Sequence, residues 1–352
     1  METIFNIRNY GAVGDGVTND TAAIQKAMDD AATCRGKVLV PPGNYAVGKL
    51  KLGNGVCLEG TAAWSFRSFG SSIFTLVDET ADCLLDITGA FGCSVVGMSL
   101  NGQHLGQSIH GVKVYWEKYN GGSEEDTPTI DNCRIGNFTG DGVHLEHIWC
   151  FSVRHSMLCF NSGAGLYIDG WDGFILDNWF SGNRGCGIKG FVSASLTITG
   201  NRVEWNAPAG FHLICGDSVN FTGNFFDRSL GPAIMIGDET RGMTCLTATG
   251  NIFRRDGKPR QTEFTDPYES SHVYLKNSKN VVFMGNTCLV GKDDGGTGTT
   301  SPDYNFVLKD CKHTIIRDNT VNFGAMKESI VELGDNTDCI IQENIGEIAH
   351  FE

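Results

Sequence analysis

Proline is scarce in this chain of 352 residues, with only 8, so a collagen-like or proline-rich disordered chain is excluded. No long apolar run occurs. Apolar runs such as Val38–Val40 are far too short to span a bilayer, and membrane insertion is not expected. Positive charge is also short. Against 41 Asp and Glu there are 27 Lys and Arg, leaving a formal charge of −14, the wrong sign for gripping a nucleic-acid backbone. A local basic groove on an acidic body would still accept an anionic sugar. The start, Met1 to Asn6, has neither the basic nor the apolar region of a signal peptide, so a cytoplasmic location is expected. No Cys-x-x-Cys pair occurs among the 13 cysteines, which argues against a zinc ribbon. Most of them read as small buried hydrophobes in a reducing compartment. No metal and no cofactor are expected.

What the chain does have is 46 glycines and a repeat. Asn178, Asn201 and Asn224 recur every 23 residues, Asn132 lies two periods earlier, and His155 marks the midpoint. Asn251, Asn286, Asn319 and Asn344 continue the series at longer steps. A fixed period in the twenties means a solenoid. Within a unit, Leu196 and Ile198 alternate with Thr197 and Thr199, the mark of a strand with one buried face. Three short strands per unit leave no room for a crossover helix, so the chain must coil. A Leu-x-x-Leu-x-Leu frame, which leucine-rich repeats would need, is absent. The Asn column reads as structural, because Asn tolerates a left-handed bend and stacked amides hydrogen-bond along the axis.

Near the N-terminus, Ile24, Ala27, Met28 and Ala31 fall on one helical stripe behind Asn19 or Asp20 as N-cap. This helix is expected to cap the open end of the coil. Around it, Asn9-Tyr-Gly-Ala-Val-Gly-Asp-Gly-Val-Thr-Asn-Asp-Thr21, Ala23–Ala27 and Val38-Leu-Val-Pro-Pro-Gly-Asn-Tyr45 resemble the entry segment of pectate-lyase-superfamily β-helices. That superfamily includes phage tailspikes, exo-polygalacturonases and mannuronan C5-epimerases. The resemblance implies an all-β fold, a single-stranded right-handed parallel β-helix of about 23 residues per rung. One domain is expected over residues 1–352, with an entry segment and cap helix in 1–50 and coils in 51–345. Insertions are expected at about 256–271 and 291–304. The fold hosts hydrolases, lyases, epimerases and binding proteins, so function must come from the site.

Family enzymes of this kind work on the strand after the Gly-rich turn. If Val112, Val143, Leu166, Ile188, Phe211, Ile234 and Val273 point inward, the next residues form an outward column: Lys113, His144, Tyr167, Lys189, His212, Met235 and Tyr274. A second column holds Tyr115, Glu146, Asp169, Gly190, Ile214, Gly237 and Lys276. The middle rungs then gather His144, Glu146, Tyr167, Asp169, Lys189 and His212, a set rich in acid–base groups. Cross-strand ion pairs on a solvated face are the plainer explanation.

Two mechanisms fit. Glu146 and Asp169 would form a paired-carboxylate site for cleaving or transferring a glycosidic bond, with repulsion keeping one of them protonated. Trp171 would stack on a sugar ring and Asp172 is a spare carboxylate. Alternatively the site performs β-elimination or C5 epimerisation on a uronate. Lys113 or Lys189 would neutralise the substrate carboxylate, His144 or His212 would be the base and Tyr167 the acid. That set resembles the Tyr/His/Lys group of mannuronan epimerases, although their Asp-Pro-His-Glu motif is not matched by His144-Leu-Glu-His147. A third reading is a non-catalytic glycan-binding or phage-tail module, for which a homotrimer or other homo-oligomer is compatible. Tyr115 is grouped with Lys113 as a substrate contact. The basic stretch Arg254, Arg255, Lys258 and Arg260 reads either as a solvated loop or as a substrate clamp. The expected partner is an oligo- or polysaccharide, with no nucleic acid and no membrane.

Overall fold

The computed structural model describes residues 3–61, 65–119, 124–257, 264–289 and 301–348. The chain forms two compact units, Met1–Trp179 and Phe180–Glu352. Both are built almost wholly from short parallel strands.

In the first unit, α1 (Thr21–Ala32) buries Ile24, Ala27, Met28 and Ala31, the stripe that the sequence predicts. It packs on the strands Ile4–Asn6, Lys37–Leu39 and Leu50–Lys51. Asp20 holds the N-cap position, but its carboxylate turns away from the helix to accept Val13 N–H at 2.7 Å and Gly14 N–H at 2.9 Å. It thus secures the glycine-rich entry loop.

Three strands carry the outer face of this unit: β1 (His110–Tyr115), β2 (Val143–Arg154) and β3 (Leu166–Leu176). They pair in parallel, with Val112 opposite Val143 and Val143 opposite Leu166. These apolar residues are fully buried, so the alternate residues point away from the core. The second unit repeats the scheme in β4 (Ile188–Thr199), β5 (Phe211–Thr222), β6 (Ile234–Ile236) and β7 (Ser271–Lys276). Phe211, Phe226 and Phe253 run through its core, with ring centroids 5.0 and 5.2 Å apart.

The Asn column is a hydrogen-bonded ladder. In the second unit each Nδ2 donates to the next Oδ1, from Asn201 to Asn224, Asn251, Asn286, Asn319 and Asn344, at 2.9–3.0 Å. The left-handed bend sits one residue earlier: Gly200, Gly223, Gly250 and Gly285 all have φ between 63° and 69°. This offset corrects the predicted register in the first unit. Asn132 and His155 occupy the bend, at φ 52° and 48°, while the ladder runs Cys133 N–H to Ser156 Oγ and Ser156 N–H to Asn178 Oδ1. A second buried ladder joins Asn183 to Asn206, one 23-residue step on, at 2.9 Å and Ser229 N–H to Asp256 Oδ1 at 2.9 Å.

All thirteen cysteines are free and seven are buried. Burial pushes the Cys83, Cys93 and Cys133 thiols up to about 12, so they stay protonated and inert. Among the described residues no helix is long and apolar enough to cross a membrane.

Candidate active site

The register of the first unit puts Lys113, His144 and Tyr167 in one column and Tyr115, Glu146 and Asp169 in the next. His144 is clamped between carboxylates, with Nδ1 2.8 Å from Asp141 Oδ2 and Nε2 3.1 Å from Glu146 Oε2. Its ring stacks on Tyr167 (centroids 4.5 Å, 7°) and lies 4.2 Å from the His110 ring. Burial, with Asp169, Glu146 and Asp141 close by, pushes the Tyr167 phenol up to about 12, so it keeps its proton at neutral pH. Burial and the neighbouring His144 push His110 down to about 4.

A β-bulge between Glu146 and Ile148 re-aims the next side chain. His147 adopts φ +56°, and its Nδ1–H donates to the Trp116 carbonyl at 2.6 Å, which leaves Nε2 3.6 Å from Asp169 Oδ2. Asp169 is nearly buried and accepts the Tyr119 hydroxyl at 2.6 Å. Tyr119 lies against His147 and Trp171, with centroids 4.5 and 4.4 Å away. Two further indoles are pinned by carboxylates, Trp116 by Asp126 at 3.0 Å and Trp149 by Asp172 at 2.9 Å. Beside Asp172 lies a pocket of about 220 Å³ lined by Thr127, Pro128, Phe151 and the exposed Phe174. Aromatic faces and carboxylates therefore alternate across a continuous patch of this unit.

Lys113 faces this patch but is held by Asp82 at 3.1 Å, while Asp82 also binds Lys49 at 2.7 Å. Against the upward push of partial burial, the two lysines hold the Asp82 carboxyl well below its usual range. A lowered folded-state value stabilises the fold above the ordinary carboxylate range, and that contribution disappears as pH falls. Asp82→Asn is thus expected to lower the melting temperature at neutral pH, with the gap from the parent protein closing below about pH 4. Melting curves from pH 7 to pH 2 check this.

In the second unit, Lys189 pairs in register with His212, and His212 Nε2 lies 3.3 Å from the Gly237 carbonyl. Tyr274 and Lys276, predicted to be on the outward face, are buried instead. The segment before β7 covers them: Tyr274 donates to Asp266 at 2.9 Å, and Lys276 Nζ meets Glu239 at 2.9 Å and Asp266 at 3.5 Å.

The clamp expected from the basic stretch needs correction. Arg255 is fully buried, its Nε donating to Asp227 Oδ1 at 2.8 Å and its Nη2 to Oδ2, so it is withdrawn from substrate. Arg254 is half-buried, opposite Asp227 and Leu289. Lys258 and Arg260 lie outside the described residues, as do 291–300 of the second insertion. Arg255→Met would leave Asp227 buried with Arg228 as its remaining cation, a loss of about 3 kcal/mol in urea unfolding. Turnover at 25 °C should be unchanged.

Residues 4–229 match the family model "Rhamnogalacturonase A/epimerase, pectate lyase-like", and residues 192–347 match "Right handed beta helix region". The chain belongs to the pectate-lyase-like family of the first model. Mannuronan C5-epimerase AlgE1 of Azotobacter vinelandii is 27% identical over 226 residues, 58% of this chain and 16% of that protein. The chain therefore spans about a sixth of that relative's length. Among solved structures, the A-module of A. vinelandii mannuronan C-5 epimerase AlgE4 superposes with TM-score 0.70 at 16% identity, covering 98% of this chain and all of the module. DFA-IIIase of Arthrobacter chlorophenolicus A6 without its lid gives 0.68 at 13% identity, covering 99% of both chains. At these identities the structural likeness establishes the right-handed β-helix fold.

This pectate-lyase-like chain also brings residues to the patch that sequence spacing misses. His110 and Asp141 flank the first column from a strand start and a turn. Tyr119 and Asp126 come from the excursion after β1, where no periodic rule applies. His147 is out of phase with the alternation until the bulge shifts it, and nothing in Glu146-His147-Ile148 announces a bulge.

Proposed function

We propose that the chain is a carbohydrate-active enzyme that cleaves a glycosidic bond by acid/base chemistry on the outer face of its first unit. The observation that carries this reading is the pairing of Glu146 with Asp169 on neighbouring rungs, flanked by His144 and His147. Parallel neighbours stand about 4.8 Å apart. Side-chain spread then reaches the range of about 5–9 Å at which two carboxylates act as acid and base or acid and nucleophile. Trp171 and Tyr119 supply a stacking platform for a sugar ring. The local charge favours a neutral glycan. Asp126, Asp141, Glu146, Asp169 and Asp172 crowd the patch, and the lysine of its column is already held by Asp82. We further assign α1 the role of covering the first rung, where open strand edges would recruit other chains.

A second reading is supported by the Tyr167–His144 stack with its protonated phenol, and by the likeness to mannuronan epimerases: lyase or C5-epimerase action on a uronate. Incubating the full chain with a panel of neutral and uronic oligosaccharides separates the two. The hydrolase or transglycosylase reading predicts transferred or newly reducing ends from a neutral glycan, with no ultraviolet-absorbing unsaturated sugar. An unsaturated product, or C5 inversion without chain cleavage, would establish the second reading. Binding without turnover across the panel would leave a glycan-binding module.

A further inference from the structure

We propose that His110, Asp141 and His144 form a site for a divalent transition-metal ion, of the class that takes mixed imidazole and carboxylate ligands. The three residues come from the start of β1, the turn before β2 and β2 itself, and all are largely buried. Each offers a ligand atom, and the three atoms lie within 4.8 Å of one another. Asp141 Oδ2 stands at the centre, 3.4 Å from His110 Nδ1 and 2.8 Å from His144 Nδ1.

Counting donors shows why a cation belongs there. His110 Nδ1 accepts the Asp141 backbone N–H at 3.0 Å, so it carries no proton of its own, and it stands 3.4 Å from the Asp141 carboxylate oxygen. Both His144 nitrogens meet carboxylate oxygens, yet a neutral imidazole carries a single N–H. The cluster is therefore short of one donor, a place that a cation can take. A metal ion takes it by drawing on the His110 lone pair in place of the Asp141 amide.

The surrounding groups are those a metal site requires. His144 Nε2 points to Glu146 Oε2 at 3.1 Å, the carboxylate–histidine arrangement that fixes a ligating ring. The other Asp141 oxygen accepts the Ala164 N–H at 2.6 Å, so the ligating carboxylate is itself held. Gly163 packs against that oxygen, where a Cβ would lie 2.4 Å away. Two imidazoles and one carboxylate suit Zn²⁺, Ni²⁺, Co²⁺ or Mn²⁺ and leave positions open for water or a sugar hydroxyl. Ca²⁺ wants six or more oxygen ligands and does not fit.

The proposal is independent of turnover and is tested without it. The full chain, stripped with EDTA and dialysed, is titrated calorimetrically with Zn²⁺, Ni²⁺, Mn²⁺ and Ca²⁺, and its Co²⁺ absorption spectrum is recorded. The expected result is one transition-metal ion per chain, no Ca²⁺ binding, and a Co²⁺ spectrum free of thiolate charge-transfer bands. His110→Gln and Asp141→Asn should each weaken binding by about 100-fold or more, beyond what losing an outer partner does. His155→Gln, on an exposed histidine between Asp131 and Asp177, should leave it unchanged. Circular dichroism confirms that the variants fold; should either fail, an anomalous difference map of Ni²⁺-soaked parent crystals decides by the position of the ion. No saturable binding of these ions, binding unchanged in His110→Gln, or an ion found on cysteine would overturn the site.

Discussion

Replacing Glu146 by Gln, or Asp169 by Asn, should lower kcat by about three orders of magnitude, within the range of about 10²–10⁴ for a positioned acid or base. Both replacements are close to isosteric. In Glu146→Gln the amide carbonyl can still accept from His144 Nε2, and in Asp169→Asn it can still accept the Tyr119 hydroxyl, so the patch keeps its shape. Oligosaccharide affinity should therefore change by no more than a few-fold, which separates a lost chemical step from lost binding. Tyr119→Phe and His147→Gln act one step out. Each removes a contact to Asp169 and should cost less than Asp169→Asn itself. Initial rates and calorimetric affinities on one substrate check the order. Parent-level turnover in both carboxylate variants would remove them from the chemistry.

The largest expected effect on stability belongs to the Asn ladder. Asn251 Nδ2 donates to Phe221 O at 3.1 Å and to Asn286 Oδ1 at 2.9 Å, and its Oδ1 accepts from Asn224 N and Nδ2 at 3.0 Å each. Asn251→Leu fills the space but takes the printed partner from the Asn224 N–H and the Phe221 carbonyl in a buried site, while Asn224 Nδ2 keeps Ile198 O and Asn286 Oδ1 keeps the residue-251 N–H. At about 1–3 kcal/mol per orphaned group, the total loss is about 4 kcal/mol. An exposed neighbour such as Thr247→Ala should cost less than about 0.5 kcal/mol. Urea-unfolding midpoints of the two variants check the contrast. Equal midpoints would show that the ladder follows the fold rather than holding it.

Part of this molecule was legible in its letters because a rung is a local object. Leu196 and Ile198 alternating with threonines announce a strand, and the 23-residue step from 201 to 224 makes those residues stacked neighbours. The same arithmetic places His144 beside Tyr167 and Glu146 beside Asp169. It fails where the chain departs from the rung. The recurring letter Asn misplaces the ladder by one residue at Asn132 and His155, because Cys133 and Ser156 fill the ladder position with other groups. The second ladder shows the 23-residue Asn step only from Asn183 to Asn206 and then changes letter at Ser229 and Asp256, so the Asn spacing does not carry through it. Arg255 belongs to a basic run that reads as a surface loop, yet the buried Asp227 on the preceding rung claims its guanidinium. Tyr274 and Lys276 do alternate outward, but the inserted segment lies over them, and alternation carries no information about roofs.

The most direct test of this active site is a crystal structure of the Glu146→Gln variant with an oligosaccharide that the parent protein turns over. The expected result is sugar density lying across β2 and β3, with one ring against Trp171 and Tyr119 and a glycosidic oxygen between residues 146 and 169. Density on a different face, with residues 146 and 169 touching only protein and solvent, would contradict it.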